Sequence, residues 1–177
     1  MNQKQILLTA LLFSTVFSFA QNSGEALITD RPDQTESAAI VPVKSVQWES
    51  GFVYEHDDNG MMETEYFSYN SSLFRIGVLK NLEMRLGIAF DEVQYKYASK
   101  EKNSIKGISP INIGTKIKIA EEKGIFPEAA FLGYLSIPRT GSDDFRHDYL
   151  IPGFKLAFSH TLNNTFSLAY NIGADWN

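Results

Sequence analysis

The chain has 177 residues, no cysteine, 13% aromatic residues and a formal net charge of −5. Without cysteine, neither disulfides nor thiolate-bound metals hold the fold, and the acidic balance argues against a nucleic-acid partner. Past the N-terminus no stretch approaches 18 consecutive apolar residues, which excludes helical membrane spans; the mean hydropathy of −0.18 suits strands that dilute apolar with polar positions.

The chain opens as a secretion signal. Lys4 supplies a positive start, Ile6 to Phe19 is mostly apolar, and Ser18-Phe19-Ala20 sets small residues where a signal peptidase cuts. Residues 1–20 are therefore read as a signal peptide and Gln21 as the mature N-terminus; losing Lys4 takes the net charge from −5 to −6. The apolar stretch is shorter than the ~20 residues of a membrane helix, and no cysteine follows the site for lipidation. Gln21 to Lys44 is a polar lead-in with Asp30, Arg31, Pro32, Asp33 and Glu36 and no strand or helix period, read as a periplasmic segment.

Residues 45–177 read as one domain of alternating strands. In the first, Val46 to Glu55, the residues Val46, Trp48, Phe52 and Tyr54 alternate with Gln47, Glu49 and Glu55, and an Asn59-Gly60 hairpin signal follows. The second runs from about Glu65 to Val78; its YFSYNSS half has no clear face, while Phe74, Ile76 and Val78 oppose Arg75 and Gly77. After a Lys80-Asn81 turn, Leu82 to Phe90 is the clearest period-two run, setting Leu82, Met84, Leu86, Ile88 and Phe90 against Glu83, Arg85, Gly87 and Ala89. Glu92 to Gly107 reads as a loop by its polar composition. The fourth strand, Ile111 to Ile119, sets five β-branched residues against Asn112, Gly114, Lys116 and Lys118. The fifth, about Pro127 to Ile137, has no clear face, and Pro138 to Leu150 is a second polar loop. In the sixth, Phe154 to His160, the residues Phe154, Leu156 and Phe158 oppose Lys155, Ala157 and Ser159; in the seventh, Phe166 to Trp176, six apolar positions oppose Ser167, Ala169, Asn171, Gly173 and Asp175.

A strand of about 9–11 residues with one apolar face is what an outer-membrane barrel requires. Links after the second, fourth and sixth strands are short, and links after the first, third and fifth are longer. That is the phase of short periplasmic turns and long external loops. The expected fold is thus all-β, an antiparallel transmembrane up-and-down β-barrel. Single-chain bacterial barrels have even strand numbers, and an unpaired edge in lipid leaves backbone groups unsatisfied. Seven visible strands therefore predict a barrel that continues beyond Asn177.

If the apolar face meets lipid, the polar face lines the interior. Glu49, Arg75, Glu83, Arg85, Asp91, Lys116, Lys118, Lys155, Asn171 and Asp175 are the candidate lumen-lining residues, joined by Gln47 and Glu55, with Arg75 and Arg85 mid-strand as candidates for a constriction. Such residues either line a polar path that tunes selectivity or pair across the interior and fill it, as in small barrels. Trp48, Tyr54, Phe90, Tyr134 and Trp176 lie toward strand ends, as interfacial girdles do. No catalytic, cofactor or metal site is predicted. Ser142, Asp143, Asp144 and His147 share one loop without a spacing that assembles a triad, and the Asp57-Asp58 and Asp143-Asp144 pairs read as solvated loop rather than a divalent-cation site.

TDRPDQTESA at 29–38, VPVKSVQWESGFVYE at 41–55, NLEMRLGI at 81–88, PEAAFLGYLSIP at 127–138 and FSHTLNNTFSLAYNIGADW at 158–176 together resemble the outer-membrane transporter-like proteins of the meta-pathway of phenol degradation family, in its Bacteroidota-type branch. The resemblance implies an outer-membrane β-barrel with a transport role, and, since members are longer, a C-terminally truncated one. It transfers no catalytic residues, and the 29–38 segment is left open between a plug, a docking segment and a cap on the barrel mouth. The expected function is passive passage of a small organic solute, by a non-enzyme with no cofactor. Its expected partners are outer-membrane lipid, that unidentified solute and the outer-membrane assembly machinery during insertion. A filled structural or adhesive barrel and a secreted soluble β-sandwich binding protein are the alternatives.

Overall fold

The computed structural model describes residues 29–30, 35–97 and 102–176, so the signal-peptide reading of residues 1–20 lies outside them. The described residues hold nine strands and no helix: β1 (Val46–Asp58), β2 (Met62–Leu79), β3 (Leu82–Ile88), β4 (Phe90–Tyr97), β5 (Lys102–Ile108), β6 (Asn112–Ala120), β7 (Glu128–Ser136), β8 (Ile151–Thr161) and β9 (Ser167–Asp175). All pair antiparallel in one sheet.

β3 and β4 run end to end along the same edge of β2, with Ala89 between them. β5 and β6 continue one course in the same way, broken at Ser109–Ile111, where Pro110 has no N–H to give the ladder. The Ser109 amide still donates to the Ala89 carbonyl at 3.0 Å, so the two breaks sit side by side. Counted as continuous courses, the nine strands are seven, each paired to its sequence neighbour. The sheet is a meander curled into a half-barrel.

Two differences from the sequence expectation have physical causes. The segment 92–107, expected as a loop, forms the β4–β5 hairpin with Asp91 opposite Gly107 and Lys96 opposite Lys102. Its outward positions Glu92, Gln94 and Lys96 are polar, so composition hides the strand, although Val93, Tyr95 and Tyr97 alternate with them. In β2 the register slips where Gly51 pairs with Ser71 and Val53 with Ser68. This extra residue is a β-bulge, which moves following side chains to the other face. Phe67 and Phe74, seven positions apart, therefore both point outward, Phe67 tilted against Tyr54 with ring centroids 5.1 Å apart and Phe74 stacked on Trp48 at 5.9 Å. No single period fits YFSYNSS because the phase changes inside it.

Elsewhere the alternation sorts the side chains. The convex face carries Val46, Trp48, Phe52, Tyr54, Ile76, Met84, Phe90, Ile113, Ile117, Leu168, Tyr170 and Ile172, all exposed, Trp48 to 62% and Ile172 to 66%. The concave face carries the charges. β7, whose faces composition leaves unclear, turns Phe131 and Leu135 outward with Ile117 and Ile113, and Ala130 and Leu132 inward, both buried.

Candidate functional site: a plugged concave face

The lead-in crosses the inside of the curl. Residues 42–45 bind the end of β2: the Lys44 N–H donates to the Gly77 carbonyl at 2.8 Å, and the Gly77 N–H donates to the Ser45 carbonyl at 3.0 Å. Lys44 turns the chain there with φ of 65°. Only glycine permits this approach, since a Cβ on Gly77 would lie 1.9 Å from the Pro42 carbonyl oxygen. From that anchor the segment runs inward. The Val41 N–H donates to Glu83 Oε2 at 2.8 Å, the Ala38 N–H to Ser159 Oγ at 3.3 Å and the Glu36 N–H to Asn171 Oδ1 at 2.7 Å, while Asn171 Nδ2 donates back to the Glu36 carbonyl at 2.8 Å. Ala38 has no exposed surface. One short stretch thus touches β3, β8 and β9.

Its acids meet the buried bases of the sheet. Asp30 Oδ2 lies 3.1 Å from Arg75 Nη1, 2.9 Å from Arg85 Nη1 and 2.6 Å from Lys116 Nζ. Its Oδ1 accepts from the Ser37 N–H at 2.9 Å and the Ser37 hydroxyl at 2.8 Å. Glu36 Oε2 lies 2.9 Å from Arg85 Nη2 and 3.4 Å from Lys116 Nζ. Arg75 donates from Nε and Nη2 to the two oxygens of Glu83, both at 2.9 Å, and from Nη1 to Glu49 at 3.0 Å. Four acids and three bases form one network, and Arg75, Glu83 and Lys116 are at most 1% exposed. Buried charges persist when each has partners with good geometry, and here the lead-in supplies part of that geometry.

The two lead-in carboxyls are displaced in opposite directions. Burial pushes Asp30 up, but the Lys116, Arg75 and Arg85 charges together outweigh it and hold Asp30 well below the usual carboxylate range. Burial pushes Glu36 above its ordinary value; Arg85 offsets this only in part, and the neighbouring Asp30 charge adds to it.

Beyond the plug, toward the Tyr54 end of the sheet, the concave face opens into a chamber of about 510 Å³. Its floor includes Glu36 and Arg85, and its walls carry Tyr66, Leu73, Asp91, Leu132, Tyr134, Lys155 and Asp175. A row of paired positions crosses it: Arg85 opposite Gly114, Gly114 opposite Tyr134, Tyr134 opposite Gly153 and Gly153 opposite Asp175. Large side chain and glycine alternate, and this spacing lets Tyr134 lie across Gly153 so that its hydroxyl donates to the Asp175 carboxylate. A Cβ on Gly153 would fall 2.4 Å from the tyrosine ring.

The candidate interior residues fall into three groups. Glu49, Arg75, Glu83, Arg85 and Lys116 are in the ion network, and Asn171 clamps the plug backbone. Asp91, Lys155 and Asp175 face the chamber. Lys118 pairs separately with Glu128 at 2.6 Å. The expectation that Tyr134 belongs to an outward aromatic girdle is overturned, because its position in β7 is on the concave face. Trp48, Tyr54, Phe90 and Trp176 are on the convex face, with Phe154 and Trp176 centroids 5.9 Å apart. Within the 138–150 loop, Ser142 Oγ accepts the Ile108 N–H at 2.9 Å and His147 Nε2 meets Ser136 Oγ at 2.8 Å. No Ser142–His147 bond forms among the described residues. Asp30, Glu36 and Ser37 are the participants that sequence reasoning did not place; the available signal was an acidic segment ahead of strands whose polar faces carry paired bases.

A family model described as "Putative MetA-pathway of phenol degradation" matches residues 29–177, plug and sheet together. The chain belongs to that family. No curated protein and no solved structure matches it. The match begins at Thr29, so it covers the segment that enters the concave face as well as the strands.

Proposed function

We propose that the chain is a bacterial outer-membrane barrel that passes small organic solutes by diffusion, without catalysis, through an interior narrowed by its own lead-in segment. The observation that carries this reading is the convex face. Its large apolar side chains are exposed across the whole sheet, far beyond the few hundred Å² that soluble monomers leave uncovered. From Val46 to Tyr54 the apolar run of β1 extends about 27 Å at ~3.4 Å per residue, and a tilt of ~40° brings it to ~20 Å, close to the ~25 Å apolar band of outer-membrane barrels. Above it the outward residues turn polar at His56, Asp58, Glu63 and Glu65. Lipid is then the partner of the convex face, and the assembly machinery of outer-membrane barrels its partner during insertion.

The mixed polar chamber supports a solute path on the concave side. Solute flux into liposomes carrying the full-length protein tests the reading; a membrane-inserted protein that passes neither charged nor neutral small solutes, plugged or with the plug released by substitution at Gly77, defeats the transport part. The ion network favours a second reading, a permanently filled barrel acting through its external loops. Charge reversal at Arg75 or Arg85 separates the two, altering solute selectivity in a pore and only stability in a filled barrel.

A further inference from the structure

The chamber holds two charges that the plug does not answer. Asp91 is only 5% exposed, yet its Oδ1 has no hydrogen-bond partner among the described residues. The rest of its carboxylate is met by neutral hydroxyls, those of Ser109, which donates to Oδ2, and Tyr66. No Lys, Arg or His of the described residues forms an ion pair with it. Lys155, which lines the same chamber from β8, forms no ion pair or hydrogen bond with any described residue. Of the other chamber charges, Arg85 pairs with Asp30 and Glu36, and Asp175, which also accepts from the Tyr134 hydroxyl, is exposed to solvent where Asp91 is not.

A buried carboxylate with an unanswered oxygen is costly unless a donor, best a cation, meets it. Lys155, half-buried on the same chamber, offers a free ammonium of the opposite charge. The same lining includes the apolar Leu73 and Leu132, the latter paired directly with Lys155. We infer that this chamber is a binding site for small zwitterionic solutes of the amino-acid type, with the solute's ammonium donating to Asp91 Oδ1, its carboxylate facing Lys155 and its apolar body against the leucines. The inference rests on the proposed transport reading and names the solute class for it. The chamber volume of about 510 Å³ matches the lower part of the range for small-molecule sites.

The test is calorimetric titration of the full chain in detergent micelles with three matched probes: leucine, isoamylamine, which lacks the carboxylate, and 4-methylpentanoate, which lacks the ammonium. Leucine is expected to bind more tightly than isoamylamine, and isoamylamine more tightly than 4-methylpentanoate. Asp91→Asn, nearly isosteric, should weaken leucine at least about tenfold, the size of one charge-assisted hydrogen bond. Lys155→Met should bring leucine down to the level of isoamylamine. Binding of 4-methylpentanoate equal to that of leucine overturns the proposal, as does an Asp91→Asn protein that binds leucine unchanged. If that variant does not fold, the wild-type ranking decides alone. Flux in liposomes is measured in parallel: flux without leucine binding overturns this inference and leaves the transport reading, and leucine binding without flux does the reverse.

Discussion

Asp30→Ala removes the acid at the centre of the ion network, and the structure sets the size of the effect. Four acids face three bases, so deleting Asp30 leaves Glu36, Glu49 and Glu83 against Arg75, Arg85 and Lys116, and the formal charge balances. The loss is local. Lys116 surrenders its 2.6 Å contact and keeps Glu36 at 3.4 Å and the Ser37 carbonyl at 3.1 Å, and Ser37 loses the acceptor for both its N–H and its hydroxyl. Removing one partner of a buried pair costs about 3–5 kcal/mol. With Glu36 still near Lys116 and with Arg75 and Arg85 retaining Glu49 and Glu83, the lower end applies, about 3 kcal/mol, or roughly a 150-fold rise in the undocked population. The assay is hydrogen exchange at the Val41 amide, whose N–H is buried on Glu83 and exchanges when the segment leaves. Exchange should accelerate by about two orders of magnitude, with Asp30→Asn intermediate because its amide oxygen still accepts from Ser37. If Asp30→Ala changes Val41 exchange by less than about threefold, the network does not hold the segment and the argument fails.

Gly77→Val places carbon where the Pro42 carbonyl lies, so the lead-in must lift from β2; limited proteolysis should cut within 35–45 faster than in the wild type, and an unchanged digestion pattern would show that the approach is tolerant. Ile172→Lys puts a charge at the middle of the β9 apolar face and should cost about 2–4 kcal/mol of folding into lipid vesicles, read by denaturant titration, whereas Leu168→Lys, on the same face at the strand end, should cost less than about 1 kcal/mol; equal, negligible effects would refute lipid contact. Mild acid should not release the plug. Asp30, with its carboxyl held low, contributes docking stability that is present above its unfolded pKa and is lost only as pH falls through the depressed value. Glu36, with its carboxyl raised, is least favourable as the ion, so docking strengthens as pH falls toward its unfolded value. Protease protection of the 35–45 segment should therefore hold or rise from pH 7 to pH 5, and release over that interval would contradict both directions.

The strand courses were readable in the sequence because a half-buried strand writes its faces as a period of two, and runs such as Leu82–Ile88 obey it without interruption. Reading failed where that code breaks. The β2 bulge changes phase within a few residues. The β4–β5 hairpin rises past the apolar band, where both the solvent and the concave side accept polar groups, leaving only Val93, Tyr95 and Tyr97 to mark it. Tyr134 looked like a girdle residue from its position near a strand end, and only the pairing register turns it inward. The plug was not readable at all from local pattern. Asp30 meets Arg85 and Lys116 across 55 and 86 residues of chain, and nothing in TDRPDQTESA states which strands will surround it.

The clasp between Glu36 and Asn171 joins points 135 residues apart. The segment it holds lies inside the curve, so the sheet is wrapped around its own lead-in. Contacts of such separation form slowly. By sequence separation the contacts of Asp30 with the β2–β3 bases are expected to close before the β9 clasp on Glu36. In the half-barrel the bed of that segment stays open between the β1 and β9 edges, so a lead-in peptide supplied in trans would enter there, meeting the bases of β2, β3 and β6 before it reached the Asn171 clasp.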